Sequence, residues 1–288
     1  MERRDTQLLL NALQLQVTEW GPASAWPIVM LHGIRGYGET FVGLAQALQP
    51  EYRVIALDQR GRGGSDWDPD HRYYTNAYVA DLEALVDALG LAQFDLLGHS
   101  MGGINAIVYA ARHPSRVRRL VIEDAGPGAF EASPGAMRIR KELETTPTRF
   151  DNWAAALDFM RALRPTVSEQ AREQRLRNML KPLDDGSFTW RYDHAGIAAT
   201  RLHPDPAQVI DLRAPITAIT CPTLVLRGTR SDYLQPSMVA EMAALNPRLT
   251  SLDIADAGHY IHDDQPEQVH AAVRQFLSPA PATTASAT

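Results

Sequence analysis

The sequence predicts an α/β protein, with a mostly parallel sheet covered by helices on both faces and a helical insertion in its second half. Three observations predict it. Between residues 27 and 126, short apolar runs alternate with stretches of helical spacing, and the alternation resumes at residue 223. Strands joined through helices pair in parallel. From 127 to about 220 that rhythm gives way to successive helical stretches. Finally, at Gly98-His99-Ser100-Met101-Gly102 an apolar run turns directly into a helix-forming stretch, with one serine at the corner.

Taken in order, residues 7–10 and 13–19 are β-prone runs around Asn11-Ala12, a hairpin whose asparagine tolerates positive φ and which forms the antiparallel start of the sheet. Residues 27–31 are a fully apolar strand ending at His32-Gly33-Ile34-Arg35-Gly36. Residues 40–48 have helical spacing through Phe41, Leu44 and Leu48, and 53–57 are another short buried strand. That strand runs into the glycine-rich loop 58–65, which contains no GxxxxGK[ST] and opens no helix. It is therefore read as structural rather than phosphate-binding, with Asp58 and Arg60 pairing or bonding to backbone. Residues 76–89 form an amphipathic helix with Val79, Leu82, Leu85, Val86 and Leu89 on one face and Gly90 as its stop.

The serine strand (94–97), its helix (104–111) and the next strand (117–122) follow, the last closing on Glu123 and Asp124. Within the insertion, 138–145, 152–163 and 168–180 are helical, and 184–187 is a turn before Phe188, Trp190 and Tyr192. Its many arginines are expected to form a solvated face, and Trp153, Phe159, Met160 and Met179 to pack between the inserted helices. A strand at 223–226, a helix at 236–245, a strand at 251–254 and a helix at 265–276 complete the sheet protein. The predicted organisation is thus a core over 1–126 and 221–277, a cap over 127–220 and a small, polar, disordered tail over 278–288.

Composition narrows the function. The 288 residues are 45% hydrophobic and 22% charged with a net charge of −6, which leaves no broad basic field for nucleic acid or an anionic membrane. Cys221 is the single cysteine, so intrachain disulfides and thiolate metal clusters are excluded; it is expected to be a buried structural thiol. The apolar run at residues 8–10 is too short for a signal-peptide core, and no stretch approaches the roughly 20 apolar residues of a membrane helix. The expected location is the cytoplasm, and the expected partner a small molecule.

Ser100, at a helix N-terminus between two glycines, reads as a nucleophile placed where backbone N–H groups favour negative charge. A serine hydroxyl needs a base within hydrogen-bond reach and the base needs an orienting acid. His259, in the loop after the final strand, is the chosen base; His262, three residues on, is the competitor, while His32 and His99 are expected to brace loops. Asp232 is the chosen acid, 27 residues before the histidine, with room between for one helix and one strand; Asp124 is the rival and Glu123 a poorer candidate. Arg35 is either a surface arginine or a partner for a substrate carboxylate.

In the order Ser100, Asp232, His259, with His32-Gly33 before them and a cap inserted between, these residues resemble the α/β-hydrolase superfamily across roughly residues 7–277. The resemblance implies an eight-stranded, mostly parallel sheet and an oxyanion hole from the backbone N–H groups of Met101 and Ile34. The GxxSD form of Gly228-Thr229-Arg230-Ser231-Asp232 also occurs in that family and favours Asp232. The implied chemistry is two-step acyl transfer without metal or organic cofactor, as in a carboxylesterase. Hydrolysis of a lactone, amide or carbon–carbon bond by the same triad stays open, as does a non-catalytic ligand receptor. Tyr260, where carbon–carbon hydrolases often carry tryptophan, and a serine rather than an aspartate nucleophile argue against three sister activities: carbon–carbon, haloalkane and epoxide hydrolysis.

Overall fold

The computed structural model describes residues 2–128, 133–164 and 167–278; of the tail expected over 278–288, residues 279–288 lie outside them. The chain opens with β1 (Arg3–Leu10), β2 (Leu13–Trp20) and β3 (Trp26–Leu31), then α1 (Val42–Leu48), β4 (Tyr52–Leu57) and α2 (Thr75–Ala88). The serine unit follows as β5 (Phe94–His99), α3 (Met101–Arg112) and β6 (Val117–Glu123). The inserted segment holds α4 (Pro134–Thr145), β7 (Arg149–Phe150), α5 (Trp153–Leu163), α6 (Glu169–Met179), β8 (Leu180–Pro182), β9 (Phe188–Trp190) and α7 (His194–Leu202). After α8 (Arg213–Ala218) come β10 (Thr223–Gly228), α9 (Pro236–Leu245), β11 (Leu249–Ile254), α10 (Ile261–Asp264) and α11 (Pro266–Leu277).

Eight strands form one sheet in the order β1-β2-β4-β3-β5-β6-β10-β11, antiparallel at β1–β2 and β2–β4 and parallel elsewhere. The hairpin turn puts both Asn11 and Ala12 at positive φ, 49° and 65°, as a two-residue turn that follows the strand twist requires. Because successive strand residues point to opposite faces, β3 sends Val29 and Leu31 to one core and Ile28 and Met30 to the other. On the first face, Val79, Leu82, Leu85 and Val86 of α2 are fully buried, each worth about 2 kcal/mol of apolar transfer. Gly90, at φ +63°, ends that helix as expected.

The cap helices begin where side chains accept the free amides of a first turn. Ser133 Oγ accepts from Ala136 N at 3.0 Å, Asn152 Oδ1 from Ala155 N at 3.0 Å and Asp193 Oδ1 from Gly196 N at 2.9 Å. Asp193 also tethers cap to core, since its carboxylate accepts from the Tyr73 hydroxyl at 2.8 Å and its own N–H donates to Gly61 O at 2.9 Å. Two features differ from the sequence expectation. A three-stranded sheet, β7-β9-β8, lies inside the insertion, its strands too short for any periodicity to register. And α8 packs on α3 and α9. Cys221 is buried, and burial pushes its thiol pKa up to about 11, as a structural thiol requires.

Candidate functional site

Ser100 follows β5 directly and caps α3 with φ 52° and ψ −117°, a strained corner for a non-glycine residue. Two close approaches enforce it. A Cβ at Gly98 would lie 2.2 Å from Gly102 O, and one at Gly102 would lie 2.1 Å from Leu31 O. Strand, turn and helix therefore pass backbone to backbone, and the hydroxyl is thrust to the C-terminal edge of the sheet, where ligands bind in such folds.

His259 lies on the loop after β11 and brings its Nε2 to 2.9 Å from Ser100 Oγ, while its Nδ1 stands 2.7 Å from Asp124 Oδ2. An imidazole that donates from Nδ1 to the carboxylate keeps Nε2 as the acceptor facing the hydroxyl. The carboxylate partner is Asp124, after β6, and not Asp232. Asp124 is fully buried, and its other donors are Gly228 N at 3.2 Å and Ser231 Oγ at 2.6 Å. Asp232, with 36% of its side chain exposed, instead forms a two-bond ion pair with Arg138 at 2.7 and 2.9 Å. That pairing holds its carboxyl below the usual aspartate range. Asp124 thus fills the place beside His259 that Asp232 was expected to fill, and Ser231, the residue before Asp232, donates its hydroxyl to Asp124.

The remaining histidines divide as their partners dictate. His32 Nδ1 donates to Gly33 O at 2.8 Å and its Nε2 accepts from Gln59 N at 3.0 Å; burial pushes its pKa down to about 3. His99 Nε2 bonds His259 O at 3.0 Å, bracing the histidine loop, and burial holds its pKa well below the ordinary value. Both brace loops. His262 is turned away from the serine, with Nδ1 2.7 Å from Glu123 Oε2. Burial opposes its charge, but Asp263 and Glu123 outweigh that and raise its pKa.

Ile34 and Met101, the expected oxyanion donors, line one cavity of about 40 Å³ together with Ser100, Ile104, Ile139 and Tyr233. Met101 is the first residue of α3, where an amide has no acceptor within the helix. A buried arginine ties the two together: Arg62 donates to Ile34 O at 3.1 Å from Nε and lies 3.4 Å from Met101 Sδ through Nη2. Arg62 also donates to Arg60 O at 2.8 Å and to the Tyr78 hydroxyl. Asp58 accepts from the backbone of Gly38 and Gly64, and Arg60 pairs with Asp68 and Asp81, so the glycine-rich loop is a brace for this wall.

Arg35 is not a surface residue; it is buried and ion-paired to Glu142 of α4. Tyr233, whose ring centroid is 4.4 Å from that of His259, was missed at the sequence level, as were Arg62 and Ser231. Tyr233 and Ser231 flank the expected acid, and their proximity in sequence was the available signal; nothing local distinguishes Arg62 from its neighbour Arg60. Among the described residues, no group of three or more His, Cys, Asp or Glu is placed to hold a metal ion, and no helix is long and apolar enough to cross a membrane.

Comparison with known proteins fits this geometry. The profile of the alpha/beta hydrolase fold family matches residues 27–266. Over 270 residues the chain is 33% identical to an sn-1-specific diacylglycerol lipase of Mus musculus, spanning 90% of this chain and 83% of that protein. It is 32% identical over 270 residues to a 3-hydroxybutyrate-oligomer hydrolase of Cupriavidus necator, spanning 90% and 91%. The crystal structure of an E-2-(acetamidomethylene)succinate hydrolase superposes with a TM-score of 0.85 at 26% identity, over 96% of this chain and 99% of that one.

Proposed function

The chain belongs to the alpha/beta-hydrolase family, and from that premise we propose that it is a serine hydrolase cleaving a carboxylic ester, or a related acyl bond, of a small or medium molecule. The observation that carries the reading is the unbroken relay from Ser100 Oγ through both ring nitrogens of His259 to buried Asp124, opening on the cavity that Ile34 and Met101 share.

In the proposed reaction Ser100 Oγ attacks the carbonyl carbon as its proton passes to His259 Nε2. Asp124 holds the ring in place and stabilises the imidazolium without taking the proton. The oxyanion rests on the amides of Ile34 and Met101, each worth roughly 3 to 4 kcal/mol of barrier, and Arg62 holds the Ile34 peptide in register. Collapse breaks the bond to the leaving group, which takes the proton from His259. Water, deprotonated by the same nitrogen, then frees the acid and restores Ser100.

The lipase and oligomer-hydrolase names of two relatives support an ester substrate. The structural likeness to an (acetamidomethylene)succinate hydrolase supports an amide as the second reading. The small cavity at Ser100 adjoins, through Arg140 and Arg201, a wider cleft of about 400 Å³, which suits a substrate of modest size. The test is hydrolysis of nitrophenyl esters of graded acyl length beside the matching anilides, by the parent and by Ser100→Ala. Ester turnover that vanishes with Ser100 supports the first reading and anilide turnover alone the second; turnover that survives in Ser100→Ala overturns both.

A further inference from the structure

Tyr233, on the loop after β10, is buried and lines the cavity at Ser100, yet the reaction described above gives it nothing to do. Its ring lies tilted against the imidazole of His259, the centroids 4.4 Å apart, and its hydroxyl is within hydrogen-bonding reach of the Ser100 side chain. Burial dominates over the opposing charge of Arg201 and pushes the phenol pKa up to about 12, so the hydroxyl keeps its proton through the neutral range.

The place of that hydroxyl is enforced from both sides of the loop. Ser231 Oγ, which donates to Asp124, accepts from Tyr233 N at 3.1 Å and from Leu234 N at 3.3 Å. On the cap side, a Cβ at Gly135 would lie 2.7 Å from Tyr233 Cα, so the first turn of α4 rests directly on this backbone. Gly135 N also donates to Asp232 O at 2.9 Å. Tyr233 is thus clamped between the hydroxyl that serves the acid and the helix that opens the cap. One loop reaches Asp124 through Ser231 and Ser100 through Tyr233, and a donor held this firmly needs little reorganisation as charge develops.

Counting protons fixes the direction of the contact. His259 Nδ1 donates to Asp124, which leaves Nε2 to accept, and the single proton of Ser100 Oγ goes there. Oγ therefore has only lone pairs to offer the phenol, while the phenol has a proton to give. Resting on the hydrolase reading, we infer that Tyr233 is a further catalytic residue: its O–H donates to Ser100 Oγ, keeps the serine proton turned toward His259 Nε2, and binds Oγ more strongly as that proton leaves. During attack the O–H bond of Ser100 breaks to His259 Nε2 while the bond from Oγ to the carbonyl carbon forms, so negative charge passes through Oγ. When the acyl-enzyme is released, that bond breaks and Oγ regains its proton from the same nitrogen; the phenol keeps its own throughout. A hydrogen bond stronger to a charged than to a neutral oxygen lowers the barrier and does more than bind the resting state.

Tyr233→Phe is the test, because it keeps the ring on His259 and removes only the hydroxyl. With nitrophenyl acetate its kcat is expected to fall about 20-fold, the size of one hydrogen bond to a charged group, with KM and the thermal midpoint near the parental values. A residue that only packs would leave kcat unmoved. Labelling of Ser100 by phenylmethanesulfonyl fluoride, followed by mass spectrometry, reads the same attack without ester turnover and is expected to slow about 20-fold as well. Parental rates in both assays overturn the assignment of Tyr233, and Ser100→Ala abolishing both in that case leaves the hydrolase reading standing. A loss with ethyl acetate and none with nitrophenyl acetate places the hydroxyl at the leaving group and also overturns it. If no ester is turned over, the ester reading falls and the labelling rate alone decides for Tyr233. A parent that is not labelled at Ser100 and turns over no ester overturns both.

Discussion

Two loops leave adjacent parallel strands, β6 and β10, at the same edge of the sheet, and each carries an aspartate within a few residues of the strand end. Their surroundings differ in kind. The β6 loop turns at once, with Asp124 at φ 48° and its N–H bonded to Leu226 O at 2.8 Å, which drives the carboxylate inward among neutral donors and one imidazole. The β10 loop runs four residues further and delivers Asp232 to the underside of the cap. There it pairs with Arg138 of α4, and its carbonyl accepts from Gly135 N at 2.9 Å. The buried carboxylate of Asp124 faces the His259 ring, with Gly228 N and Ser231 Oγ as its other donors. A half-exposed one locked to an arginine is a strut between cap and core. The difference teaches that an aspartate's part is set by its neighbours more than by its loop: the same side chain faces the proposed catalytic histidine or fastens the cap according to what folding packs against it.

The largest break in that comparison is Asp124→Asn. It keeps the shape but removes the charge that orients the ring and stabilises the imidazolium, so kcat on a nitrophenyl ester is expected to fall about 10⁴-fold with the fold intact. Loss of less than about tenfold would remove Asp124 from the relay. Next is Ser231→Ala, which takes from Asp124 its hydroxyl donor at 2.6 Å and leaves Gly228 N and His259. One hydrogen bond to a charged group predicts a drop in kcat of about tenfold, with the pH profile of kcat/KM displaced because the acid is less well solvated. A Ser231→Ala enzyme with parental rates and profile would show that the hydroxyl only shapes the loop.

Smallest is Asp232→Asn. Its ion pair is more than one-third exposed on both sides, so water discounts it, and the stability loss at pH 7 is expected to stay under about 1 kcal/mol with kcat within about threefold. The sign with pH follows from the depressed carboxyl. Arg138 stabilises the folded chain fully above the ordinary aspartate value of 3.8, and that contribution disappears as pH falls through the lower folded value. Thermal unfolding curves of parent and Asp232→Asn should accordingly converge below about pH 4. If the Asp232 variant instead lost as much activity as the Asp124 variant, the assignment of the two loops would be reversed.

How far the sequence reached depended on whether a feature was local. The glycines on either side of Ser100 announce a corner because only residues without a Cβ let Leu31, Gly98 and Gly102 pass so closely, and that requirement is written into five consecutive positions. The apolar periodicity of α2 and the apolar runs of the parallel strands likewise carry their burial in their own spacing. His259 was legible because it follows the last strand. The choice of Asp124 over Asp232 was not, since a sheet brings both strand ends within reach of one imidazole and sequence distance does not say which carboxylate turns inward. Arg35 was visible as an arginine beside the oxyanion loop, but its pairing with Glu142, and the contact of Arg164 with the Tyr260 ring, arise between segments more than a hundred and nearly a hundred residues apart. Backbone corners and core faces are properties of a residue and its neighbours in the chain, so the sequence alone determined the fold and the corner at which Ser100 stands. Which charges are paired, and with what, depends on partners that only folding brings together, and the tertiary structure decided those.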